Sequence, residues 1–169
     1  MLLLVLCASF MLASIVFAAF LKRLGKPIDE RLPRGILSVE VPWTPVNAKR
    51  IHDLLGPEGL AAARKQTKFD FVFLILYSLA LSFACTLIAT SLPGNLQTAG
   101  VMLAWAVLAA GATDAVENVA MLRMLDGRTN TPWPQLSTIC AFVKFTIVLS
   151  ALAFLGTGLT VLAYTRWFG

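Results

Sequence analysis

Four stretches of this chain are apolar for long enough to cross a bilayer as helices, and that removes most folds from consideration. About 20 apolar residues rising 1.5 Å each cover a hydrocarbon core roughly 30 Å thick. Residues 1–21, 71–92 and 99–122 reach that length, and residues 134–164 reach it with Lys144 as their one charge. Composition agrees, because only 14% of the residues are charged where soluble domains carry about a quarter. The expectation is an all-α integral membrane protein, a four-transmembrane-helix bundle forming one membrane domain. Its helices are expected at about 1–21, 69–92, 98–124 and 134–164. A long cytoplasmic loop over 22–68 is expected to contain short interfacial helices.

The net charge of +5 raises the question of nucleic acid, and placement answers it. Ten of the 14 basic residues lie between Lys22 and Lys68, where topology accounts for them and no folded basic domain presents a patch. Arg123 and Arg128 lie between the third and fourth spans, while the 91–100 connection carries no charge. By the positive-inside rule the charged loops face the cytoplasm and both termini lie outside. Trp133, Tyr164 and Trp167 sit near expected helix ends, where amphipathic rings prefer the headgroup zone. The first span is read as a retained helix, since Lys22, Arg23 and Lys26 follow its apolar run instead of preceding it as in a signal peptide. The expected location is a bacterial plasma (inner) membrane.

The basic loop has local signals of its own. Residues 35–43 are partly alternating and rich in branched side chains, which predicts an extended segment on the bilayer face with Trp43 as anchor. Thr44 and Pro45 form an N-cap followed by proline at the first helical position. The helix they open is expected to break at Gly56, and Pro57 then starts another that runs into the second span. Cys7, Cys85 and Cys140 all fall inside apolar runs and are read as packing residues. His52, the one histidine, is read as a solvated loop residue. A bis-histidine haem site and a histidine-rich zinc site are thereby excluded. The chain holds no Walker loop, G-x-S-x-G or H-E-x-x-H pattern.

The ionisable residues inside the spans are the informative ones. Each costs about 2.5–3.5 kcal/mol at a helix centre on insertion scales, so several must be paired, hydrated or neutralised. Asp114, Glu117 and Asn118 are related as i, i+3 and i+4 and share one helical stripe, with Ala110 and Gly111 one turn back. Counting from the cytoplasmic helix ends puts Tyr77, Asp114 and Lys144 at one level, roughly 14 Å deep, with Glu117 and then Asp70 nearer the cytoplasm. The candidate polar cluster is therefore Asp70, Tyr77, Asp114, Glu117, Asn118 and Lys144, opening inward. One alternative is an ion pair of Lys144 and Asp114 that fixes packing. A second is a ligand site in which Asp70, Asp114 and Glu117 hold a hard ion such as Mg²⁺, and a third is a proton pathway.

Three functions follow from these alternatives. The first is an accessory or scaffold protein whose polar core specifies packing and whose loop meets a protein partner. The second is a lipid-headgroup binder or membrane enzyme using Asp114 and Glu117. The third is a small proton- or ion-coupled transporter, working as a homo-oligomer because four helices leave little room for a lumen. Inverted repeats and broken spans, the usual signs of a carrier, are absent from the pattern.

Overall fold

The computed structural model describes residues 1–168, and among them it is all-helical. Its elements are α1 (Leu2–Leu24), α2 (Lys26–Asp29), α3 (Leu37–Glu40), α4 (Pro45–Ala89), α5 (Gly94–Leu125) and α6 (Trp133–Phe168). Helices α1, α4, α5 and α6 are long and apolar enough to cross a membrane. Their outward faces carry large apolar side chains such as Leu12, Met102, Trp105 and Leu149, each more than 60% exposed. Water would penalise such a belt, and lipid would not.

The capping chemistry near the start of α4 operates as its residues dictate. Thr44 Oγ1 accepts from the Asn47 amide at 3.2 Å, and Pro45 follows at the first helical position. Gly56 then leaves helical geometry at φ 60°, ψ −179°, a conformation that a side chain would strain. From Pro57 the helix runs without a second break to Ala89. The two helices expected from Pro45 to the Gly56 break and from Pro57 into the second span are both formed, and the connection between α1 and α4 is confined to 25–44.

The extended segment expected over 35–43 is not formed. Gly35 turns the chain at φ 53°, α3 follows, and Val39 is 2% exposed. The reason is spacing. Ile36 and Val39 would face opposite sides of a strand, whereas one helical turn brings positions i and i+3 together. Both pack into a core with Ile28, Leu32, Leu55 and Met121, so the segment folds against α4 and α5 instead of lying free on the bilayer. Trp43 takes φ 60° and is 55% exposed.

Of the long helices, α4, α5 and α6 pack against one another. They share a second apolar core around Leu81, Cys85, Val107, Ala151 and Phe154. Gly111 on α5 faces Ser78, and a Cβ added there would approach Ser78 Oγ to 3.0 Å. That absent methyl lets α4 and α5 come close where the acids begin. Helix α1 contacts α4 and α2 but neither α5 nor α6, its aromatic face meeting Phe83 and Phe69. A cleft is left between α1 and α6.

Candidate functional site: a polar cluster beneath a lateral cleft

The cluster begins with one cation. Lys144 Nζ, on α6, donates to Asp114 Oδ1 at 3.0 Å and to Glu117 Oε1 at 3.1 Å, with Glu117 Oε2 also 3.0 Å away. Lys144 is 8% exposed, Asp114 2% and Glu117 0%. Tyr77, on α4, donates its hydroxyl to the other Asp114 oxygen at 3.0 Å. The depth count therefore pairs the right residues, because Tyr77, Asp114 and Lys144 do meet across three helices. Asp70 is not part of this group. Its Oδ2 accepts from Asn118 Nδ2 at 2.8 Å, one turn nearer the end of α5 than Asp114.

Lys144 occupies the space between Asp114 and Glu117 that a metal bridging them would need. Among the described residues, no three His, Cys, Asp or Glu side chains converge to hold a metal ion. His52 lies on α4, its Nδ1 3.7 Å from Asp53 Oδ1, and it lines none of the polar spaces described below.

A fourth carboxylate, Glu40, belongs to the site and escapes a reading by transmembrane span. It ends α3, and its Oε2 is buried 3.9 Å from Lys144 Nζ. Two hydrogen bonds from the first turns of α6 place it. Ser137 Oγ donates to the Glu40 carbonyl at 2.8 Å, and the Trp43 amide donates to Thr138 Oγ1 at 3.0 Å. Both hydroxyl residues are fully buried. The second bond also holds Trp43 in its positive-φ conformation, which costs a non-glycine residue about 1–2 kcal/mol. Glu40 lies outside the spanning helices, and burial raises its carboxyl well above the ordinary range, to about 7. Lys144 opposes that rise, and Asp70 and Asp114 add to it. The one sequence signal for Glu40 is an acid between Val39 and Val41, polar where its neighbours are not.

These groups open onto the cleft between α1 and α6, a cavity of about 380 Å³. Met11 and Ser14 of α1, and Phe145 and Val148 of α6, form its sides. Asp70, Tyr77, Asp114, Lys144 and Glu40 also line it, so an apolar slot carries a polar patch. Asp114 and Lys144 are committed to each other, while Tyr77 keeps acceptor capacity and Asp70 keeps a second oxygen. Free acceptors outnumber free donors, and the patch suits a group that donates hydrogen bonds or carries positive charge. A larger groove adjoins it, sharing Leu37 and Phe145, and is lined by Arg34 and Arg50.

Comparison with protein-family models, with curated proteins and with solved structures finds no match to this chain.

Proposed function

We propose that this protein binds a membrane amphiphile, a lipid or lipid-like molecule, with its polar head against Asp70 and Tyr77 and its apolar part along the cleft. The observation that carries this reading is the cleft itself, about 380 Å³ of largely apolar space ending on buried polar groups. Ligand sites commonly combine such walls with a few converging polar side chains. In the plasma-membrane orientation read from the loop charges, both termini are outside and the cleft's polar patch lies in the cytoplasmic half. Arg34 and Arg50 would then meet the phosphates of the inner leaflet.

Native mass spectrometry of the protein released from nanodiscs tests the reading. A lipid-sized adduct is expected on the wild type, and it should be lost in Val148→Phe, which fills the cleft. Emergence of the wild type without any adduct would remove the proposal.

A scaffold role is the second reading, and one observation favours it. Lys144 is saturated by two carboxylates of α5, as expected of a pair whose work is to hold α6 in register on α5. In that case a protein partner meets the α2–α3 face, and variants of the cleft leave function unchanged.

A further inference from the structure

The groove beside the cleft encloses about 770 Å³, and its charge is of one sign. Arg34 and Arg50 are the only charged residues lining it, and Ser38 and Asn47 add a hydroxyl and an amide. Among the described residues neither guanidinium holds an acid, whereas Arg31 and Arg64 pair with Glu58 and Asp126. The cleft has the opposite pattern. Its one cation, Lys144, is committed to Asp114 and Glu117. Asp70 receives a single hydrogen bond, from the neutral amide of Asn118, and makes no ion pair. A half-buried carboxylate with no cation is short of a partner, whatever the protonation of Glu40.

The two spaces meet along α6. Phe142 lines the groove alone, Val148 the cleft alone, and Phe145 lines both, as does Leu37 of α3. The groove therefore gives way to the cleft over about one helical turn on each side of Phe145. An anionic head by itself would satisfy the arginines and leave Asp70 without a cation. A cationic head by itself would do the reverse. A head that carries a phosphate and an amine on a short link satisfies both, and only such a head matches two oppositely charged spaces that share a wall. Guanidinium groups offer paired donors that fit phosphate oxygens. The N–H groups of a primary ammonium can reach the second Asp70 oxygen and the Tyr77 hydroxyl, and a quaternary ammonium has none to give.

We infer that the amphiphile is a phospholipid with a primary-amine headgroup, its phosphate held by Arg34 and Arg50 and its ammonium by Asp70 and Tyr77. This rests on the lipid-binding reading of the cleft and adds to it the chemistry of the head.

The test is a competition on the full chain, in nanodiscs of equal parts phosphatidylethanolamine, phosphatidylcholine and phosphatidylglycerol with matched acyl chains, read by native mass spectrometry. The choline lipid keeps phosphate and positive charge without N–H groups, and the glycerol lipid keeps phosphate and hydroxyl donors without the positive charge. The ethanolamine lipid should be retained about tenfold over either, the worth of roughly one hydrogen bond to a charged group. Asp70→Asn should retain lipid but lose the preference for the amine over the glycerol head. Arg34→Gln combined with Arg50→Gln should weaken retention of all three lipids alike, by several fold. The wild-type competition decides the headgroup without any variant, and the variants then place it. Retention of the three lipids in equal amounts overturns this inference alone and leaves the lipid reading standing. Preference for the glycerol lipid overturns it in favour of an anionic head, and preference for the choline lipid in favour of charge without hydrogen bonding. An amine preference unchanged in Asp70→Asn overturns the placement of the ammonium. Emergence without any lipid overturns both this inference and the reading beneath it.

Discussion

Lys144 on α6 and Asp114 on α5 meet at 3.0 Å with almost no solvent at either, and each has a second partner. Lys144 also holds Glu117, and Asp114 also accepts from Tyr77. Three helices are joined through four side chains, so a change at one is felt at all.

Removing the ammonium alone leaves two carboxylates buried and unpaired. Lys144→Ala should lower stability by about 3–5 kcal/mol, read as a loss of melting temperature in detergent. Lys144→Met combined with Asp114→Asn and Glu117→Gln should recover most of that loss. Additive losses in a double-mutant cycle of Lys144 and Asp114 would show that the two do not act as a pair.

The close approach of α4 and α5 depends on Gly111 lacking a side chain. Gly111→Val places methyl groups against Ser78, and overpacking of this kind costs about 1–3 kcal/mol. Tyr77 should be pulled from Asp114 as the helices part. Its ultraviolet absorbance reports a change of hydrogen bonding, and an unchanged spectrum with unchanged melting would count against the contact.

How α3 is held is testable by proteolysis. Thr138→Val keeps the volume but leaves the Trp43 amide without its acceptor, a loss of about 1–3 kcal/mol. Cleavage within residues 25–44 should accelerate several-fold while cleavage elsewhere does not. Ser137→Ala, which frees the Glu40 carbonyl, should act in the same direction.

Glu40 predicts a pH dependence whose sign follows from burial. Its carboxyl titrates near 7 when folded, against about 4.5 when exposed. The folded state therefore keeps a proton that the unfolded chain gives up between those values. The stability this contributes is complete below about pH 4.5 and is lost as pH rises through about 7. Melting temperatures of the wild type should fall across that window relative to Glu40→Gln and run parallel to it above. A difference that grows above pH 8 would contradict the assignment.

The spans and their caps were legible in the sequence because their causes are local. An apolar run long enough for the bilayer, a threonine before a proline, and a glycine at the break each act within a few residues. The pairing of Asp114 with Lys144 was legible for a different reason, since a charge in lipid must find a partner and helix geometry ranks the depths. Glu40 was not. Its burial comes from Ser137 and Thr138, almost a hundred positions away, and from a turn that the alternating pattern of residues 35–43 disguises. Nor does local sequence say that α1 leans on α4 and makes no contact with α6.

That last arrangement decides how an occupant of the cleft is exchanged. With α1 resting on α4 and not closing against α6, the slot is open between the two helices, and on the proposed lipid-binding reading it would admit an acyl chain without a hinge. On that reading an incoming molecule would swap with an adjacent lipid and never enter water. Occupancy is then governed by mole fraction within the leaflet, so titrations should be scaled to the lipid present and not to the volume of the tube.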